Sequence, residues 1–262
     1  MKDVLQEIVE HKRRDLAQQL RKRVSMAERL RQSPSGIIAE FKRKSPSKGW
    51  IHADVEPEQV IPVYARGGAS ALSILTNEEY FGGQPTFIPR VREAVGDCPI
   101  LRKEFIVSPY QVYEAKMLGA DAILLIAADL STTEYRELLQ LAHELNLEVL
   151  LEVHDPAELS YLEAGIPDML GVNNRSLGTF HTDVQHSFDI AEAMHQAVGR
   201  LQLPASQPLP VLVSESGISS PDTVKSLRKV GFRGFLIGEC FMREADPGEA
   251  LTRFIREVER ED

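Results

Sequence analysis

Four charged side chains stand at the carboxyl ends of three apolar, strand-like runs. Glu40 and Lys42 end the first run and are two residues apart, so their side chains point to the same face of a strand. Lys103 ends the third run and Glu152 ends the fifth. Singly, each charge could mark only the point where a buried strand reaches water. Together, carboxylates and amines can hold each other's pKa values apart, as acid–base catalysis requires.

Glycines after the seventh and eighth runs predict a phosphate site. Ser216 and Gly217 follow the seventh run, and Gly238 and Glu239 follow the eighth. Glycine lets backbone N–H groups approach an anion closely, and a side chain at position 238 would then crowd that anion. Ser45, in the basic loop after the first run, adds a hydroxyl donor. These features favour a phosphorylated substrate, although the segments around Gly217 and Gly238 could also be simple tight turns.

Eight short runs of strand-forming residues alternate with helix-like stretches after residue 35. The runs cover residues 36–41, 70–75, 99–103, 121–127, 147–153, 168–172, 209–214 and 233–238. The helical stretches cover residues 56–66, 109–118, 132–145, 156–163, 188–198, 221–230 and 247–260. Proline, which is favoured at helix starts, stands near the beginning of four of them. Eight strand–helix units over roughly 250 residues are typical of a closed (βα)8 TIM barrel, an α/β fold.

A doubly wound open sheet is the alternative architecture. It usually carries a glycine-rich turn after its first strand, whereas KRKSPSKG follows the first strand here. In a barrel, the carboxyl ends of all eight strands meet at one mouth, where such enzymes place their active sites. Residues 1–35 are predicted to form an N-terminal helical extension. We expect a single domain over residues 1–262.

The composition excludes several classes of protein. With 39 acidic and 30 basic residues among 262, the formal net charge is −9, which argues against a general nucleic-acid binder. Two cysteines cannot form a disulfide framework, and the apolar runs are far shorter than the roughly 20 residues of a membrane helix. The histidines show no metal-binding spacing. We therefore expect a cytoplasmic protein with no metal, no nucleic-acid partner and no membrane partner.

A series of motifs resembles the indole-3-glycerol phosphate synthase family of tryptophan biosynthesis. The motifs are IIAEFKRKSPSKG, LSILTNEEYFGG, LRKEFIVSPYQVYEAKMLGADAILLI, LLEVHD, GVNNRSLGTFHTD, SESGI and FLIGECFMR, which occur in the family's order. The resemblance implies a (βα)8 barrel with an N-terminal helical extension, in agreement with the strand count. It also implies ring closure of 1-(2-carboxyphenylamino)-1-deoxyribulose 5-phosphate to indole-3-glycerol phosphate, with loss of carbon dioxide and water and without a cofactor.

The resemblance further implies roles for individual residues. Lys103 matches the family's general acid, Glu152 matches a catalytic carboxylate, and Glu40 and Lys42 match catalytic or substrate-orienting residues. The remaining matches are catalytic positions and substrate-binding positions. They are Asn173 and Ser216 for catalysis, and Ser45, Phe81, Phe105, Leu124, Arg175, Leu177, Gly217, Gly238 and Glu239 for the substrate. Among these, the two phenylalanines and two leucines are expected to line the pocket for the aromatic ring.

Two positions depart from the family pattern. Ser176 stands where the family often has aspartate, which removes a charge from the sixth loop. Glu239 stands where some members have serine. A carboxylate repels phosphate, so we expect only the backbone N–H of Glu239 to contact it.

Other functions remain open at this point. A Schiff-base aldolase acting on a phosphosugar would use the same barrel with Lys103 as its nucleophile. An isomerase of the preceding pathway intermediate and a non-catalytic phosphosugar-binding barrel are further alternatives, although a pure binder would not need four inward charges. We expect a monomer that takes a small phosphorylated substrate. A weak dimer and association with other enzymes of tryptophan biosynthesis are the alternatives.

Overall fold

A closed barrel of eight parallel strands forms the centre of the computed structural model, which describes residues 9, 24–176, 181–204 and 207–260. Strands β1 to β8 are Ile37–Phe41, Ala71–Leu75, Ile100–Lys103, Ala122–Ile126, Glu148–Val153, Met169–Asn173, Val211–Glu215 and Gly234–Ile237. Each strand pairs with the next one along the chain, and β8 pairs with β1. The predicted barrel is therefore confirmed, and the open sheet is excluded.

One helix precedes the first strand, and the other described helices follow strands along the chain. Helices α1 to α10 are Met26–Gln32, Pro57–Arg66, Glu78–Phe81, Phe87–Val91, Pro109–Leu118, Thr132–Glu144, Gln185–Gly199, Pro221–Lys229, Glu239–Met242 and Pro247–Glu259. Proline begins α5, α8 and α10, as the sequence predicts. The stretch Pro156–Glu163 is a 3-10 helix, as is Ala127–Asp129. The sequence did not predict α3, α4 or the small hairpin of Lys44–Ser45 and Gly49–Trp50.

The inner face of the barrel explains why charged residues reach its mouth. Alternate residues of a strand point to opposite faces, so an inward apolar residue is followed two positions later by another inward residue. Four strands end in this way, each with an apolar residue of the inner cluster followed by a charged one. The pairs are Ile38 and Glu40, Leu101 and Lys103, Leu150 and Glu152, and Val213 and Glu215.

Helix α1 closes the opposite, amino-terminal end of the barrel. Its residues Met26, Ala27 and Leu30 are buried in the same inner cluster. Glu148, the first residue of β5, accepts hydrogen bonds from the Ser25 hydroxyl at 2.6 Å and from the backbone N–H groups of Met26 and Ala27 at 2.6 and 3.1 Å. This carboxylate thus satisfies backbone donors that a helix start leaves unpaired. Residues 1–8 and 10–23 of the predicted extension lie outside the described residues.

Replacing Glu148 by alanine is expected to lower the free energy of unfolding by about 3 kcal/mol. The change leaves buried donors without an acceptor, and hydrogen bonds to charged groups contribute about 1.5–3 kcal/mol each. Urea unfolding measures the loss. Glu144→Ala, at an exposed position near the end of α6, serves as the control and is expected to change little. Equal stabilities of the two variants would show that Glu148 does not hold α1.

Candidate active site

A cavity of about 560 Å³ opens at the carboxyl ends of the strands. All eight strands contribute to its wall, which is where (βα)8 enzymes place their chemistry. The contributing strand residues include Glu40, Leu75, Lys103, Leu124, Glu152, Asn173, Glu215 and Leu236. The structure thus brings together the four charged residues that the strand ends predicted, since Lys42 lines the same cavity.

Lys42 and Glu40 form an ion pair on one side of the cavity. Lys42 Nζ lies 2.7 Å from Glu40 Oε1, and the Ser73 hydroxyl lies 3.5 Å from Glu40 Oε2. Both charged side chains are largely buried, with 11% and 5% of their surfaces exposed. Among the described residues, the Lys42 ammonium therefore has one carboxylate beside it, and it lines the cavity, where it can meet a substrate anion.

Lys103 occupies the centre of the site between two buried carboxylates. Its Nζ donates to Glu152 Oε2 at 2.6 Å and to Glu215 Oε2 at 3.0 Å. Asn173 Nδ2 donates to the other oxygen of Glu152 at 2.9 Å. Because each residue comes from a different barrel strand, closure of the barrel is what brings them together.

The three groups hold one another in different protonation states. Burial alone would lower the pKa of Lys103, but the charges of Glu152, Glu215 and Glu40 raise it, so the amine stays charged. Burial would raise the pKa of Glu152, yet Lys103, His154 and the Asn173 amide lower it. Burial and the neighbouring Glu152 raise the pKa of Glu215, because one ammonium cannot fully compensate two carboxylates. The result is a charged lysine, an ionised Glu152 and a Glu215 that keeps its proton more readily.

Glu215 is the residue that the sequence interpretation missed. The motif SESGI drew attention to Ser216 and Gly217, while the two-residue alternation after Val213 already places Glu215 on the inward face. Gly171 of β6 makes room for it, since a Cβ at position 171 would lie 2.3 Å from Glu215 Oε1. The signal was therefore present in the strand alternation and in a glycine inside a strand.

The expected phosphate loops form one rim of the cavity. Ser216 and Gly217 both have positive φ, 69° and 77°, so the chain turns sharply after β7. Gly217, Gly238 and Arg175 line the cavity with Ser216. The Nε atom of Arg175 is buried and has no hydrogen-bond partner among the described residues. A rim of this composition offers donors and positive charge to an anion.

Ser45 and Gly238, two further residues predicted for the phosphate site, lie in different surroundings. Ser45 is fully buried and is not part of the cavity wall, while its loop neighbours Ser47 and Lys48 are. The space that Gly238 leaves is occupied by Glu40, because a Cβ at 238 would lie 2.7 Å from Glu40 Oε1 and 2.9 Å from its Cβ. Gly238 therefore accommodates the Glu40 side chain as well as bordering the rim.

Glu239 and the sixth loop show how the two departures from the family pattern are accommodated. The carboxylate of Glu239 pairs with Lys48 Nζ. Burial opposes ionisation, but this hydrogen bond and the lysine charge lower the pKa of Glu239. The pair neutralises the charge that would otherwise repel phosphate. In the sixth loop, the Ser176 backbone N–H donates to the His181 carbonyl at 2.8 Å.

Apolar side chains form another part of the cavity wall. Phe81 and Phe105 lie with ring centroids 6.3 Å apart and, with Leu124, line the cavity. Leu177, the fourth expected member of this wall, lies outside the described residues.

The described part of the chain contains no cluster of three or more potential metal ligands. In the same part of the chain, no helix is long and apolar enough to cross a membrane.

The closed barrel and the cluster of charged residues in the cavity at its mouth define a (βα)8-barrel enzyme. Among solved structures, a variant of the tryptophan synthase alpha-subunit from Pyrococcus furiosus is similar, with a TM-score of 0.61 at 13% identity, covering 86% of this chain and 97% of that one. At that identity the similarity concerns the fold alone.

The family model for indole-3-glycerol phosphate synthase matches residues 1–254. The indole-3-glycerol phosphate synthase of Bacteroides thetaiotaomicron is 50% identical over 274 aligned residues, covering 99% of this chain and all of that protein. The synthase of Carboxydothermus hydrogenoformans is 44% identical over 216 residues, covering 82% of this chain and 77% of that protein. The chain belongs to the indole-3-glycerol phosphate synthase family, a group of carboxy-lyases of tryptophan biosynthesis, as its motifs predicted.

Proposed function

We propose that this cavity closes the indole ring of 1-(2-carboxyphenylamino)-1-deoxyribulose 5-phosphate through Lys103, Glu152 and Glu215. The ring carbon that bears the carboxylate attacks the ribulose carbonyl, and the carbonyl oxygen gains a proton. Carbon dioxide then leaves, and its electron pair restores the aromatic ring. Loss of water finally requires one proton taken from carbon and one given to the hydroxyl group.

The proton count of this reaction matches the cluster around Lys103, and this match carries the proposal. Two protons are given to oxygen and one is taken from carbon, so each turnover consumes one proton. The charged Lys103 and the Glu215 carboxyl, whose pKa is raised, are two donors. Glu152, whose pKa is lowered, is the acceptor. A site that holds two donors and one acceptor, with both carboxylates within 3.0 Å of the lysine, can perform both steps.

Each residue of the cluster has a defined step in this proposal. Lys103 protonates the carbonyl oxygen, regains a proton from Glu215 at 3.0 Å and then protonates the leaving hydroxyl group. Glu152, held by Asn173, accepts the proton from carbon. Lys42 binds the substrate carboxylate and orients the ring carbon for attack, and Glu40 holds Lys42 in place.

The remaining groups bind the two ends of the substrate. The phosphate is placed at the rim of Ser216, Gly217 and Arg175, with the Lys48–Glu239 pair beside it. The aromatic ring is placed against Phe81, Phe105 and Leu124, because a flat apolar ring needs apolar walls. The acid–base cluster lines the same cavity. Turnover of the substrate, followed by indole fluorescence, tests the activity, and a folded protein without turnover would contradict it.

Anthranilate is expected to inhibit competitively, and Phe105→Ser is expected to raise its inhibition constant five- to tenfold. An aromatic contact contributes about 1 kcal/mol beyond the area it buries, which corresponds to about fivefold in affinity. Tyr110→Ser is a matched control, since Tyr110 is 69% exposed and does not line the cavity. An unchanged inhibition constant for Phe105→Ser would place the aromatic ring elsewhere.

Three wider features complete the proposal. We place the enzyme in the cytoplasm as one domain over residues 1–262, acting as a monomer. The cavity supports the monomer, because all eight strands of one chain build its wall. A weak dimer and association with other enzymes of the pathway are the alternatives, which sedimentation of the purified protein distinguishes from a monomer.

A further inference from the structure

His154 lies next to Glu152 of the acid–base cluster and has no step in the proposed reaction. It follows β5 and lies two residues after Glu152. Its backbone is fixed on both sides: the N–H donates to Glu158 Oε2 at 2.6 Å, and the carbonyl accepts from His186 Nε2 at 2.9 Å. The side chain is only 11% exposed and does not line the cavity. The imidazole is therefore held in a defined place where it cannot touch substrate.

The ring nitrogens of His154 have no hydrogen-bond partner among the described residues, although both are buried. An imidazole always carries at least one N–H, and a buried donor without an acceptor is costly. The nearest carboxylate atom is Glu152 Oε1, 3.4 Å from Nε2. A movement of a few tenths of an ångström makes this contact a hydrogen bond. The resting structure thus holds a donor next to the catalytic carboxylate without a completed bond.

Resting on the function proposed above, we propose that His154 is a positioning residue that keeps Glu152 ionised and in place once Lys103 has given up its proton. At rest, Glu152 Oε2 is bound by the Lys103 ammonium at 2.6 Å. After Lys103 protonates the substrate and takes a proton from Glu215, its ammonium is shared by two ionised carboxylates, and a buried carboxylate without a full counter-charge tends to take up a proton. The charge of His154 beside Oε1 lowers the pKa of Glu152, so that Glu152 is still a base when water must be eliminated.

The charged groups around His154 are mostly acidic. Glu152 lies on the preceding strand β5, Glu158 on the 3-10 helix that follows, and Asp129 on the 3-10 helix after β4, where it lines the cavity. Beyond Glu152 lie the remaining members of the cluster, Lys103 and Glu215. On the side of α7, His186 donates to the His154 backbone carbonyl.

The test is the pH dependence of kcat in His154→Gln and His154→Phe. Glutamine can keep a donor toward Glu152 but has no charge, and phenylalanine has neither. Removing a positive charge beside Glu152 raises the pKa at which this carboxylate becomes protonated. We expect the acid limb of kcat to move up by about one pH unit, a tenfold loss of kcat below that limb, with KM unchanged. The matched control is His143→Asn, because His143 pairs with Asp168 at 3.0 Å on the surface.

Each outcome decides for or against the role of His154. A raised acid limb in His154→Gln, with KM and melting temperature near those of the parent, supports it. An acid limb that stays in place, or a higher KM without a change in the limb, overturns it. If the phenylalanine variant does not fold, the glutamine variant decides alone. Failure of the proposed function would be distinct, since the parent protein and His143→Asn would then show no turnover either.

Discussion

Exchange of Lys103 for methionine is expected to lower kcat by about a hundredfold or more. The ammonium is the only cation within 3.0 Å of both Glu152 and Glu215 among the described residues, and its raised pKa keeps the proton that the carbonyl oxygen needs. Methionine has a similar length but cannot donate a proton. Steady-state kinetics by indole fluorescence measure the loss, and Lys229→Met, exposed on α8, is the control.

The same lysine distinguishes the synthase from a Schiff-base aldolase. An aldolase needs a neutral amine that attacks carbon and forms an imine. Two carboxylates at 2.6 and 3.0 Å instead stabilise the charged form of Lys103. Borohydride added during turnover is therefore expected to leave the mass of the protein unchanged. An adduct on Lys103 would overturn the acid–base mechanism while leaving the fold and family membership intact.

Gly238→Ala is expected to lower kcat ten- to a hundredfold and to change KM less. The new Cβ would lie 2.7 Å from Glu40 Oε1 and 2.9 Å from Glu40 Cβ, so the carboxylate must shift and its contact with Lys42 must change. Displacing a catalytic group by about 1 Å can cost about a hundredfold in rate.

Gly199→Ala is the control for this substitution, because nothing lies within 4 Å of a Cβ at that position. A variant of Gly238 with a raised KM and an unchanged kcat would show that the glycine serves the anion alone. That outcome would restore the role that the sequence suggested for it.

The strand alternation allowed much of the active site to be predicted from the sequence. Leu101 followed by Lys103 and Leu150 followed by Glu152 place both charges on the inward face, and closure of the barrel does the rest. The side-chain period of a strand is two residues, so this inference needs no knowledge of loops. The same rule would have found Glu215, had the adjacent serine and glycine not suggested a phosphate turn.

Loop geometry and protonation states could not be predicted from the sequence. Ser45 belongs to a short hairpin and is fully buried, and the alternation of the barrel strands does not predict this burial. The unlike pKa shifts of Glu152 and Glu215 depend on how two carboxylates divide one ammonium in three dimensions. Local sequence also gives no distinction between an α-helix and the 3-10 helix at Pro156–Glu163, because both bury a similar set of residues.

Strand β5 carries a carboxylate at each end of the barrel, and this fixes the strand's register from both sides. Glu148 binds the start of α1 at the closed end, and Glu152 binds Lys103 at the mouth. The two lie four residues apart and therefore face the same way. A slip of β5 by one residue would turn both carboxylates into the apolar layer beneath the helices, at opposite ends of the molecule and at the same time. Two contacts thus depend on the correct register of this strand: the contact of Glu148 with α1 and the contact of Glu152 with Lys103.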